Sequence, residues 1–171
     1  REISTKGGYI FAWMMDALMV GIGVGFDTLG AGTCTVKQPE YSQEIYKVAD
    51  SREGWVQSVQ ILLDGFFFAK KIPTFDYSAI RPPGSLIKGF GGTASGHGPL
   101  EELHDGLKEL YEARIGETIT SVDIVDTENL IGRCVVAGNV RRSAALALGQ
   151  HDDREYLTMK NDQEKLYNHR W

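Results

Sequence analysis

Long stretches of helical periodicity alternate along this chain with short apolar segments closed by glycine or proline, and that alternation predicts an α/β fold with a largely parallel sheet or barrel. Tyr9 to Val20 is apolar nearly all round, with Trp13, Met14, Met15 and Leu18, so it reads as a core helix covered on most sides. Gly21, Gly23 and Gly25 then alternate with Ile22, Val24 and Phe26, a strand pattern with one bare face that admits another backbone or a ligand closely. Asp27 to Lys37 reads as a loop. Asp50 and Glu53 have capping-box spacing ahead of Trp55, Val56, Val59, Leu62, Leu63 and Phe66, which recur at helical intervals as far as Lys70 and Lys71. Thr74 to Ile80 is a strand candidate stopped by Pro82 and Pro83, and a glycine-rich loop runs from Gly89 to Gly98, where Thr93 or Ser95 could cap the next helix. Pro99 opens that helix, with Leu100, Leu103, Leu107 and Leu110 on one face, ending near Gly116. Thr120 or Ser121 starts another, with Asp123 three beyond Thr120, running through Leu130, Ile131 and Val135 to Gly138 and Asn139. Ala144 to Leu148 reads as a buried strand.

With 171 residues, 42% of them apolar and 24% charged, the chain is sized for one globular domain or part of one. A net charge of -5 with dispersed Lys and Arg leaves no basic footprint for duplex nucleic acid. The longest apolar run, broken by Asp16 and closed by Gly21, is too short for a membrane span. Cys34 and Cys134 lack metal-ligand or disulfide-framework spacing; Cys134 reads as a core residue and Cys34 as a reduced loop thiol of a cytosolic protein. Arg1 in place of an initiator Met, and the lack of a tail after Trp171, predict a piece of a longer chain.

Three segments have the composition of ligand loops. Gly21 to Gly25 has the wrong order for a dinucleotide fingerprint, because a helix precedes it and a loop comes after. Gly89 to Gly98 leads into a helix N-terminus, as a phosphate cradle would, but it lacks the Lys-Ser/Thr of a P-loop and reads equally as a plain loop. Gly138 to Ser143 carries Arg141 and Arg142, which could fork onto a phosphate or carboxylate or simply make a salt bridge and face solvent. His97, His104, His151 and His169 show no ligand spacing, and no catalytic triad or dyad can be assembled.

Longer strings settle the choice of family. Gly23-Val24-Gly25-Phe26, Asp50 to Val56, Ile87 to Gly96, Val135 to Ala144, Asp162 to Leu166 and the closing His169-Arg170-Trp171 resemble, in the same order, the monomeric adenosylcobalamin-dependent ribonucleoside-triphosphate reductases. The resemblance implies part of that family's ten-stranded α/β barrel. Residues 1–171 would be a single partial domain, the N-terminal half of the barrel with its specificity loops. It implies adenosylcobalamin as cofactor, whose cobalt–carbon homolysis generates a thiyl radical on a finger-loop cysteine, and a separate cysteine pair that supplies electrons. Cys34 and Cys134 match neither role, so no catalytic residue and no metal ligand is assigned to this segment, which alone is expected to be inactive.

What the resemblance does assign is effector control. Gly138, Asn139, Arg141, Arg142 and Ser143 resemble the loop that links a bound deoxynucleotide effector to the substrate base, with Arg141 the foremost participant. Asp27, Thr28 and Gly30 resemble the first specificity loop, and Lys88, Gly91 and Gly92 its continuation. The stretch Leu29 to Ala49 is short compared with members carrying an insertion that mimics a dimer partner. The implied partners are a ribonucleoside triphosphate substrate, a deoxynucleoside triphosphate effector, a thioredoxin-like reductant and the remainder of the reductase chain, in the cytoplasm. The alternative is a split-gene subunit or nucleotide-binding assembly module that needs a partner chain.

Overall fold

The computed structural model describes residues 2–87, 92–137 and 143–161. In chain order the elements are α1 (Ile3–Lys6), α2 (Tyr9–Met19), β1 (Val24–Asp27), β2 (Glu40–Lys47), α3 (Arg52–Phe68), β3 (Lys71–Asp76), α4 (Gly98–Glu112), α5 (Ser121–Ala137), β4 (Ala145–Leu148) and α6 (Arg154–Thr158). The strands form two parallel pairs. β1 pairs with β4, from Val24 opposite Ala145 to Asp27 opposite Leu148, and β2 pairs with β3. Parallel neighbours need a crossover, and α3 supplies the one between β2 and β3.

The core lies where α2, α3, α4 and α5 meet. Phe11 stacks on Phe67 at 5.9 Å between ring centroids, and Tyr111 of α4 receives Phe67 edge-on at 5.2 Å and Phe66 at 5.6 Å. These large buried rings contribute area and preferred edge or tilted geometry together. α2 is buried as expected along Phe11, Met14, Met15 and Leu18, which face α3 and α5. Trp13 departs from the expectation: it is 53% exposed, and Tyr9 one turn earlier is 49% exposed, because no element among the described residues covers this strip of α2.

Several boundaries differ from the pattern. The cap of α3 is Ser51, whose hydroxyl accepts from the Gly54 N–H at 3.1 Å; Asp50 turns instead to Arg81. α3 ends at Phe68 because Ala69 adopts a left-handed conformation with φ +55°, leaving Lys70 and Lys71 outside it. β3 begins at Lys71 rather than Thr74 and contains Pro73. The pairing steps from Tyr41–Ile72 to Ile45–Thr74, so the irregularity falls where proline lacks a ladder N–H. β2 was not foreseen: Glu-Tyr-Ser-Gln-Glu-Ile-Tyr-Lys has no buried face, and exposure removes the alternation that marks a strand. Thr93 and Ser95 do not cap α4, whose N-cap is His97 without a side-chain bond. Thr120 and Asp123 do form the expected reciprocal box, with Asp123 accepting from the Thr120 N–H at 2.8 Å and Thr120 from the Asp123 N–H at 3.2 Å. β4 is exposed rather than buried, with Leu146 and Leu148 open, since β1 is its one partner among the described residues.

No helix among the described residues is long and apolar enough to cross a membrane. Both cysteines are buried and unpaired.

Candidate functional site

A cavity of about 800 Å³ opens between the C-terminal ends of α2 and α5, the N-terminal turn of α3 and the segment after β3. Met15, Met19 and Trp55 give it an apolar wall, and Ser51, Arg81 and Ser95 supply polar atoms. Its volume is that of a site for a nucleotide-sized molecule.

Two of the three segments singled out in the sequence approach this cavity. Ile87 lines it immediately before Lys88, and Cys134 and Val135 line it at the end of the helix that leads to Gly138. Lys88, Gly91, Gly138, Asn139, Arg141 and Arg142 themselves lie outside the described residues. The residues flanking 88–91 are described. Leu86 bridges Thr93 in antiparallel fashion, and the Ile87 N–H donates to the Gly92 carbonyl at 3.1 Å. Gly92 has φ +94°, a conformation that side chains with a Cβ rarely adopt, so glycine suits this position. Ser143 is half-buried and directly precedes Ala144, whose carbonyl accepts from the Val24 N–H at 2.9 Å.

The third segment sits elsewhere. Asp27, Thr28 and Gly30 lie at and beyond the end of β1 where Asp27 faces Leu148, whereas Met19 and Ser143 precede the strands at the other end. Asp27 accepts from the Leu29 N–H at 2.9 Å, and the Thr28 N–H donates to the Leu148 carbonyl at 3.1 Å. A Cβ on Gly30 would fall 2.5 Å from Ile3 Cδ1, so a larger residue there would have to displace the end of the Ile3 side chain. Thr28 and Ala31 line a smaller cavity of about 280 Å³ with Gln150 and Asp153. Of the expected set, Asp27, Thr28 and Gly30 thus lie at one end of the β1–β4 pair and Ser143 at the other. Gly23 and Gly25 do not bring a backbone unusually close: a Cβ there would meet the carbonyl oxygens of Ala144 and Leu146 at 3.9 and 4.0 Å, ordinary contacts.

Sequence reading missed the polar scaffold of the larger cavity. Arg81 Nε donates to Asp50 Oδ2 at 2.7 Å across 31 residues, and Arg52 reaches Asp16 at 2.6 Å and Glu53 at 2.7 Å. No spacing rule connects such partners. It also missed a buried relay behind the cavity wall. Ser58 donates its hydroxyl proton to the Trp55 carbonyl at 2.7 Å, so it must accept from His104 Nε2 at 3.0 Å. That leaves His104 Nδ1 to accept from the Tyr77 hydroxyl at 2.7 Å. The ring is neutral with its proton on Nε2, and burial pushes it down to about 3, helped by Lys108. His104 is thus a core residue with both nitrogens engaged. Glu128 is also buried, and burial raises its carboxyl well above the usual range; no bonding partner is present for its Oε2, nor for the hydroxyls of Thr28 and Ser121, among the described residues.

No group of His, Cys, Asp and Glu among the described residues is arranged to hold a metal ion. The thiol of Cys134, facing the cavity wall, is pushed up to about 12 chiefly by burial.

The family description "B12-dependent ribonucleotide reductase, insertion domain" matches residues 27–110. A probable adenosylcobalamin-dependent ribonucleoside-triphosphate reductase from Dictyostelium discoideum is 48% identical over 95% of this chain and 24% of its own length. The adenosylcobalamin-dependent ribonucleoside-triphosphate reductase of Euglena gracilis is 47% identical over 88% of this chain and 21% of its own. A crystal structure of a B-12 dependent (class II) ribonucleotide reductase superposes with a TM-score of 0.77 and 34% identity, covering 94% of this chain and 27% of that one. The chain belongs to the B12-dependent ribonucleotide reductase family. It spans about a quarter of the length of the curated relatives it matches.

Within this reductase segment the matched range runs from the last residue of β1 into α4. The insertion domain therefore includes β2, α3 and β3, while α2, α5 and β4 lie outside it. The stretch Leu29 to Ala49 falls inside this range, and the matched range extends well past it. The larger cavity lies across the seam, with Trp55 and Arg81 from the insertion facing Met15 and Val135 from outside it.

Proposed function

We propose that the intact protein carrying this chain reduces ribonucleoside triphosphates in the cytoplasm with adenosylcobalamin, drawing electrons from a thioredoxin-like donor, and that this segment governs nucleotide specificity. Adenosylcobalamin, when bound, supplies the radical that starts the reduction. The role of this segment is to hold a deoxynucleoside triphosphate effector and pass its identity to the substrate site through Gly138, Asn139, Arg141, Arg142 and Ser143. Asp27, Thr28 and Gly30 would act from the far end of the β1–β4 pair, and Lys88, Gly91 and Gly92 as the continuation of that first specificity loop.

What supports this reading is the approach of two separate loop segments to one nucleotide-sized cavity, through Ile87 on one side and Val135 on the other. Effector coupling requires a ligand to bind two arrangements of the protein unequally, and a seam between an inserted unit and its host can adopt such arrangements. The test is Arg141→Ala in the intact reductase. Turnover without effector should persist, while the change in substrate preference produced by each deoxynucleotide should flatten. A variant that still responds fully to every effector would remove Arg141 from this role.

A further inference from the structure

The polar face of the larger cavity is built in a way that selects one kind of base. Arg81 is anchored through Nε to Asp50, and among the described residues its two terminal Nη groups have no acceptor. The side chain is about one-third exposed and lines the cavity. Anchoring at Nε fixes the plane of the guanidinium and leaves the end-on fork available. The other guanidinium at the wall, Arg52, is consumed by Asp16 and Glu53. Among the described residues each arginine at this wall, Arg52 and Arg81, already has a carboxylate beside it, so this part of the wall carries no excess positive charge for a polyphosphate. An apolar wall of Met15, Met19, Trp55 and Ile80 with one directed pair of donors fits an uncharged, planar, polar-edged ring instead.

Building on the reading of this cavity as the nucleotide site, we infer that Arg81 reads a guanine base. Guanine presents two adjacent acceptors, O6 and N7, on the edge away from the sugar, matching an end-on arginine fork. Adenine places an N6 donor where O6 would be and so faces the fork with a donor against a donor. Thymine and uracil have a single acceptor on that edge, and cytosine carries its acceptor pair beside the sugar. Asp50 is a positioning residue: it holds the guanidinium plane and touches no ligand.

The test uses the intact reductase and equilibrium binding of dGTP, dATP, dCTP and dTTP. Arg81→Lys keeps a cation beside Asp50 and removes the fork; dGTP affinity should fall roughly tenfold or more while the other three change little. Arg81→Gln should give the same ordering. A test without mutation uses 7-deaza-dGTP, which lacks the N7 acceptor and should bind the wild-type enzyme roughly tenfold more weakly than dGTP. Equal weakening of all four nucleotides in the variants, or equal binding of dGTP and its 7-deaza analogue, would overturn the assignment. If Arg141→Ala alters the effector response and the Arg81 variants leave dGTP binding intact, the guanine assignment fails and the specificity reading stands. If the wild-type enzyme binds none of the four, the specificity reading itself fails.

Discussion

Acidification should find His104 as a silent histidine, and its surroundings set the size of the effect. Burial among Phe75, Tyr77 and Ser58 lowers the ring from 6.5 to about 3, with Lys108 adding to the same direction. In the unfolded chain the ring regains its ordinary affinity for a proton. Between these values the unfolded state binds a proton that the folded state refuses, so stability is fully present above about pH 6.5 and falls as pH falls toward 3. The slope in that window is at most about 1.4 kcal/mol per pH unit, giving about 3 kcal/mol lost from this group by pH 4. Glu128 acts with the opposite sign. Its raised carboxyl stays protonated when folded, so its contribution is present at low pH and is lost as pH rises above the usual carboxylate range. A global melting curve would mix the two. The clean assay is nitrogen-15 NMR of the histidine rings, which reads tautomer and charge separately for each. His104 should show a proton on Nε2 and no titration from about pH 7.5 to about 4.5. A midpoint near 6, or a proton on Nδ1, would refute the derived relay.

Gly8→Ala should destabilise the fold by about 1–3 kcal/mol in urea titration, because the new Cβ would sit 2.8 Å from both the Gln60 carbonyl and Leu63 Cβ, forcing α2 away from α3. The same shift would strain the buried bond from the Gly8 N–H to Asp64 Oδ1 at 2.9 Å. Cys134, 4% exposed and with its thiol pushed up to about 12, should resist an aromatic disulfide reagent at about pH 8 until the protein is unfolded. Prompt labelling in the native state would show that the end of α5 opens.

Much of the helical framework was legible because α3, α4 and α5 each present a repeating apolar face and sequence-local start signals. Pro99 at the start of α4 and the Thr120–Asp123 box at the start of α5 are examples, and both act within one turn. Ser51 shows the limit of such signals: Asp50, one residue earlier, had equal chemical claim to the cap until Arg81 engaged it. β2 was invisible because a strand exposed on both faces has no hydrophobic period. Trp13 and β4 were assigned to the interior on apolarity alone, which states what a side chain favours and not whether a neighbour is there to cover it.

By itself the sequence determined the family, the α/β character and the positions of the main helices, since these depend on local periodicity and on ordered strings of residues. Only the tertiary structure decided which distant residues meet: it set Ile87 and Val135 on one cavity, left Thr28 at the other end of the β1–β4 pair, and joined Arg81 to Asp50. The reason is physical. Periodicity and capping act over a few residues, whereas a cavity and a partly buried ion pair arise from packing between elements tens of residues apart, and that packing leaves no spacing for a sequence to display.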